Sequence, residues 1–311
     1  MTPALLRVTA FAPGSIGNVG PGLDILGLAV AGAGDEVTVE RASGGRIVVR
    51  DSGHRDLPSD PARNTAALAV KEVLRRANAG DVGLALTVRK GLPLAGGQGG
   101  SAASAVAGAV AANHLLGSPL DCNALLAACL EAEATVAGRH ADNVAPSLLG
   151  GIVLVRTTDP PDVVRLPVPA DLWVALVHPD QRLRTRDSRA VLPLEVPLAT
   201  ALHQAAQVAA IVAALAGGDY ALLGRALDDR IAEPARARLL PGFPEAKQAA
   251  LAAGALGASI SGSGPTAFAL ARGDAAARAA GAGMQAAYAE AGVRASVRVG
   301  AVDREGARVI A

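Results

Sequence analysis

Polar and apolar positions alternate over Gly83 to Arg89, a period of two that predicts a half-buried strand. From Ala102 to Leu116 the chain is alanine-rich and free of proline, which predicts a helix. Short β-patterned runs cover Leu5 to Ala12, Ile25 to Ala33, Asp35 to Glu40 and Arg46 to Arg50, separated by glycines, and the pattern predicts an antiparallel arrangement for them. Helical patterns span Asn64 to Ala77, with Asn64 as N-cap, and Asp121 to Val136. Gly138 to Pro146 reads as a polar loop ahead of a strand from Ile152 to Arg156.

Around Thr158 to Asp162 the composition shifts to Pro and Asp, which places a domain boundary there, dividing the chain into 1–160 and 161–311. The second half reads as a strand (Leu172 to His178), helices (Pro197 to Ala216, Tyr220 to Ile231, Glu245 to Ala253), strands (Ala258 to Ser261, Thr266 to Ala271), a helix (Asp274 to Ala291) and a strand (Arg294 to Val299). Apart from its extra helices, that order is β-α-β-β-α-β.

Between the strand at 83–89 and the helix at 102–116 lies Gly91-Leu92-Pro93-Leu94-Ala95-Gly96-Gly97-Gln98-Gly99-Gly100-Ser101. The first N–H groups of a helix lack internal partners and carry partial positive charge, and glycines let the backbone approach an anion closely. The stretch is a candidate phosphate cradle; the alternative is a Gly-rich surface turn. No G-x-x-x-x-G-K-[ST] occurs, which excludes a P-loop. Gly97 to Ala102 matches G-x-G-x-x-A, but the residue about 20 positions on falls near Asp121, at a helix start instead of a strand end, which argues against a dinucleotide site. A second glycine loop, Ser261-Gly262-Ser263-Gly264-Pro265-Thr266, joins two predicted strands, so a phosphate ligand could be gripped between the two loops.

Composition narrows the function classes. Of 311 residues, 51% are hydrophobic and only 2% aromatic, so the core must be built from aliphatic side chains. The 29 basic and 28 acidic residues are mixed along the chain and give a net charge of +1, which speaks against nucleic acid as a partner. Cys122 and Cys129 form neither a disulfide framework nor a C-x-x-C pair. Met1 to Arg7 lacks the features of a signal peptide, and no apolar run of about 18 residues free of glycine and charge is found, so a soluble cytoplasmic protein with no membrane partner is expected.

Pro13 to Asp24 is dense in Gly and Pro and holds Asn18 and Asp24 by backbone geometry; they form either an Asx-type turn or part of a site. His140, Asp142 and Asn143 form either a capping arrangement or a site. Pro13 to Gly27, Gly91 to Ser104 and Ile260 to Leu270 together resemble the three signature motifs of the GHMP small-molecule kinases, whose central motif has the form P-x-x-x-G-L-G-S-S-A-A. Within that superfamily four further segments are similar to the homoserine kinases. They are Asn18 to Asp24, His140 to Pro146, Thr185 to Arg189 with Leu192-Pro193, and Glu233 to Arg236 with Leu240-Pro241-Gly242.

The resemblance implies an α+β, two-domain GHMP kinase fold. Its N-terminal domain is ATP-binding and ribosomal S5 domain 2-like, and its C-terminal domain is ferredoxin-like. It implies ATP bound by Pro93, Leu94, Ala95, Gly96, Gly97, Gln98, Gly99, Gly100, Ser101, Ala102 and Ser104, with Gly262, Ser263 and Gly264 closing over it. It also implies Mg²⁺ on Ser101 and Glu133, a catalytic set of Asn143, Thr185 and Arg189, and phosphoryl transfer to L-homoserine by a homodimer. Asn18, Asp24, Asn143, Arg189 and Arg236 would bind that substrate, since two arginines suit a carboxylate and an Asp with an Asn suits an ammonium. The alternatives are a GHMP kinase for mevalonate, an isoprenoid precursor or a sugar, and a non-catalytic regulatory relative. Gln98 and Gly100 stand where the motif has Leu and its first Ser.

Overall fold

The computed structural model describes residues 5–136 and 138–311. Met1 to Ala4, part of the stretch on which the expected lack of a leader rests, and Ala137, between Glu133 and His140, lie outside the described residues.

Two sheets organise the chain. The first has the order β11-β1-β2-β4-β3, formed by β1 (Arg7–Gly17), β2 (Leu26–Ala42), β3 (Ile47–Asp51), β4 (Gly83–Arg89) and β11 (Arg308–Val309); β5 (Ile152–Thr158) extends the end of β2, and β6 (Pro161–Leu166) pairs with β5. Strand β1 runs past Pro13 to Gly17, leaving a shorter loop than the sequence predicts, because a register shift between Pro13 and Gly14 absorbs the proline. The runs at 25–33 and 35–40 are likewise one strand, β2, with Gly34 at that shift; a Cβ there would stand 2.1 Å from the carbonyl oxygen of Ala12. Strand β3 is parallel to β4, not antiparallel within its own group, because helix α1 (Thr65–Arg76) carries the chain across between them. Asn64 caps α1 by accepting from the N–H of Ala67 at 3.2 Å.

Helices α1, α2 (Gly100–Leu115), α3 (Cys122–Val136) and α4 (Ala141–Leu149) contribute to the aliphatic core packed on this sheet. Alanine makes this possible: Ala102, Ala103, Ala105, Ala107, Ala109, Ala111 and Ala112 are all buried, so α2 is enclosed on every side. Helix α4 replaces the predicted polar loop. Pro146 and the surrounding glycines mask its pattern, but Ala141, Val144, Ala145 and Leu148 bury one helical stripe.

The second sheet is antiparallel throughout, with the order β10-β7-β9-β8, formed by β7 (Leu172–Pro179), β8 (Gly257–Ile260), β9 (Ala267–Arg272) and β10 (Ala295–Ala301). With α9 (Phe243–Ala252) before β8 and α10 (Asp274–Glu290) before β10, it is the expected ferredoxin-like arrangement. Leu172, Val174, Leu176, Phe268 and Leu270 on this sheet share a cluster with Ile16, Leu26 and Leu28 of the first, so the two sheets meet through apolar side chains. Between β7 and α9 lie α5 (Thr185–Ala190), α6 (Leu198–Gly217), α7 (Tyr220–Ala226) and α8 (Ala232–Ala237). The single helix predicted at 220–231 ends early because the Asp229 carboxylate accepts from the N–H groups of Ile231, Ala232 and Glu233 and starts α8. The Pro/Asp-rich stretch at 158–162 is the β5–β6 turn, and the sheets part later, between Leu166 and Leu172.

Candidate active site

A cleft of about 860 Å³ opens between the two sheets' domains. Its walls bring together Asn18, Asp24, Glu133, Asn143, Thr185, Arg189, Arg236, Gly262 and Ser263 with Pro93 to Gly97, Gly99 to Ala102 and Ser104. Gln98 and Gly264 are absent from the described lining. Gln98 is buried and donates through Nε2 to Thr266 Oγ1 at 3.2 Å, so its side chain ties the two glycine loops together.

Further bonds lock the loops. Ser261 Oγ donates to the carbonyl of Gly97 at 2.6 Å, Thr266 Oγ1 donates to that of Gly96, and Asn18 Nδ2 and an Arg236 terminal nitrogen both donate to that of Gly262 at 2.9 Å. Gly99 is the N-cap of α2 at φ 67°, and Gly97 has φ 70°. A Cβ on Gly97 would lie 2.5 Å from Ser261 O, so the loops touch only because that residue has no side chain. The departure at Gly100 is different: a Cβ there meets nothing closer than 3.4 Å, so a serine would fit.

Beneath the loop sits a network that sequence reasoning missed. The buried Lys90 ammonium pairs with the fully buried Asp35 and donates to Gly100 O at 2.8 Å and Ser104 Oγ at 3.0 Å. Ser104, expected on the nucleotide, also donates to Asp35 at 2.6 Å, so its hydroxyl works under the loop. The available signal was Lys90 itself, placed between strand and glycine.

Ser101, in the first turn of α2, donates to Glu133 Oε1 at 2.5 Å. Burial pushes the Glu133 carboxyl up to about 7, against the Ser101 hydrogen bond and the Lys90 charge. A hydroxyl oxygen beside a buried carboxylate at the mouth of a phosphate cradle is a donor set that suits a hard divalent cation.

Near the same helix start, Asn143 Oδ1 accepts from Ser15 Oγ at 3.0 Å, which fixes its amide beside Gly99. Asn18 Oδ1 accepts from the N–H of Asp24 at 3.1 Å, so a loop-closing bond six residues long, longer than an Asx turn, holds Asp24 in the cleft. Thr185 Oγ1 lies 3.5 Å from Ser263 Oγ. Arg236 is 2% exposed and Arg189 forms a two-pronged ion pair with Asp24. Burial, followed by the Asp24 charge, pushes the neighbouring Asp142 carboxyl up to about 7.

Residues 64–151 match the family model described as GHMP kinases N terminal domain, and residues 210–290 match that described as GHMP kinases C terminal. A homoserine kinase of Chlorobaculum tepidum is 43% identical, covering 97% of this chain and 98% of the relative. A homoserine kinase of Arabidopsis thaliana is also 43% identical, covering 86% and 75%. The crystal structure of homoserine kinase from Cytophaga hutchinsonii superimposes with a TM-score of 0.95 at 41% identity, covering 100% of this chain and 99% of that one.

Proposed function

The chain belongs to the homoserine kinases, a family of GHMP kinases, and from that premise we propose how its cleft transfers the γ-phosphoryl group of ATP to the side-chain hydroxyl of L-homoserine. The products are O-phospho-L-homoserine and ADP. The observation that carries the acceptor assignment is the Asp24–Arg189 ion pair lining the cleft together with Arg236. A carboxylate needs the guanidinium groups and an ammonium needs Asp24, whereas mevalonate or a sugar has no use for that carboxylate.

The backbone N–H groups at Gly96 to Ser101 receive the phosphates, and the positive end of α2 adds to their hold. Ser101 and Glu133 would hold Mg²⁺, which would supply charge neutralisation to the phosphates. Asn143 orients the acceptor hydroxyl and Thr185 meets the γ-phosphate. Positioning and charge neutralisation drive the in-line step, and no side chain is assigned as a strong base.

Release of ADP from MgATP, measured in parallel with L-homoserine, L-serine, mevalonate and galactose, tests the reading. Turnover with homoserine alone is expected. Turnover only with another acceptor overturns the pocket assignment, and ATP binding without turnover supports the regulatory alternative.

The same reading makes the protein a soluble cytoplasmic homodimer. Helix α6 is the one helix among the described residues long and apolar enough to cross a membrane, but Gln204, Ile211, Ala214 and Leu215 bury one side of it against the protein. Its other side, with Leu198 and Leu202 after Leu194, is exposed and suits a second copy. Leu198→Glu combined with Leu202→Glu is expected to convert a dimer to a monomer by light scattering; an unchanged mass removes α6 from the interface.

A further inference from the structure

The acceptor end of the cleft holds its charges in an unequal way. Asp24 and Arg189 sit on different domains and are bound to each other, with one terminal nitrogen of Arg189 2.6 Å from Oδ1 and the other 3.2 Å from Oδ2. The Nε of Arg189 is buried and has no hydrogen-bond partner among the described residues. Arg236 gives its hydrogen bonds to the carbonyls of Gly262 and Ser188, and among the described residues no carboxylate lies within ion-pair distance of it. His140 Nδ1 lies 3.4 Å from Asp24 Oδ1.

On the amino-acid reading above, on which this step rests, we infer that the Asp24–Arg189 ion pair is an internal stand-in for the ligand's head group. Ammonium and carboxylate then enter as one exchange, and neither charge is accepted well alone. An ammonium by itself must take Asp24 from a two-pronged guanidinium and leave Arg189 uncompensated near Arg236, a like charge. A carboxylate by itself finds Arg236 ready, but both terminal nitrogens of Arg189 remain on Asp24. A zwitterion replaces both partners at once, its carboxylate satisfying Arg189 while its ammonium satisfies Asp24. Asp24 and Arg189 are 33% and 31% exposed, so a ligand in the cleft reaches both without first burying an unpaired charge.

The exchange has a counter-intuitive consequence. Removing the Arg189 charge weakens the zwitterion yet frees Asp24 for a lone amine. Arg236 is a nearby cation not bonded to Asp24, so it separates the exchange from ordinary repulsion between like charges.

The test is an NMR titration of L-homoserine, 3-aminopropanol and γ-hydroxybutyrate against the full-length protein and its Arg189→Gln and Arg236→Gln variants. Thermal melting and ATP binding establish that each variant is folded. Arg189→Gln is expected to weaken homoserine and tighten 3-aminopropanol, each about tenfold. Arg236→Gln is expected to weaken homoserine and γ-hydroxybutyrate and leave 3-aminopropanol unchanged. An amine affinity that Arg189→Gln does not raise, or that both variants raise alike, overturns the exchange. Should Arg189→Gln fail to fold, Arg189→Lys, which keeps the charge and loses the fork, is expected to raise amine affinity, and no rise overturns the exchange. Phosphorylation of homoserine by the unaltered protein is measured alongside. Its absence defeats the substrate reading, whereas its presence with either negative titration defeats the exchange alone.

Discussion

Glu133→Gln is expected to make the metal-free protein more stable above neutral pH and, at the same time, nearly inactive. The carboxyl is 7% exposed, and burial moves it from its ordinary value of 4.5 to about 7. Between those two values the folded protein holds a proton that the unfolded chain has released, so stability falls as pH rises through that window. Across the full window the loss is about 3 kcal/mol, taking about 1.4 kcal/mol for each tenfold change in acidity. Glutamine never ionises and still accepts from Ser101, so the melting temperature of the variant should depend less steeply on pH between about 4.5 and 7. Asp142, pushed up to about 7 as well, keeps part of the slope.

On the proposed metal site, the same exchange removes its anionic ligand, and kcat should fall by about 10²–10³-fold, several kcal/mol of transition-state stabilisation. Millimolar Mg²⁺ with ATP should raise the melting temperature of the unaltered protein at pH 8 more than that of the variant. Equal melting curves for the two proteins across pH 5 to 8 would remove Glu133 as the source of the slope.

Gly99→Ala is expected to cost about 10²-fold or more in kcat/KM, on the scale of a 1 Å misplacement of reacting groups. The added Cβ would stand 2.0 Å from Ser15 Oγ and 3.1 Å from Asn143 Oδ1, driving into the hydrogen bond that places Asn143. The left-handed backbone, φ 67°, adds about 1 kcal/mol of strain for any residue with a Cβ. Gly100→Ala is the control, because its Cβ meets only ordinary contacts and its backbone is helical. Kinetics of the two variants side by side decide the matter; similar losses would mean that loop composition matters and the Ser15–Asn143 contact does not.

The parts of the site legible in the sequence were those made by neighbours. Strand 83–89 has the bounds its alternation predicts, and helix, loop and glycines follow within a few positions. Asn18 and Asp24 were legible as loop residues from the Gly and Pro around them, and the Asn18 side chain closes that loop on the N–H of Asp24. Lys90 and Asp35 were not, since their pairing spans 55 positions and only the packed sheet brings them together. Gln98 illustrates the same limit: its place in the motif suggested a ligand contact, while its partner, Thr266, lies 168 positions away. Helix α4 was hidden by its own proline, and α5 is too short for a periodic signal.

The late parting of the sheets and the return of β11 to β1 make the ferredoxin-like unit an insert within the first domain. Its doorway is narrow. Arg165 donates to the carbonyl of Arg304 at 3.0 Å and Arg304 donates to that of Pro169 at 2.8 Å, so the outgoing and incoming chain segments are stitched side by side. Length changes inside the insert, such as in the 191–197 connection, leave the spacing of that doorway untouched. Helices α5 and α8, which carry Arg189 and Arg236, can therefore be remodelled over evolution, and by design, while the half that carries the 91–104 glycine loop keeps its register.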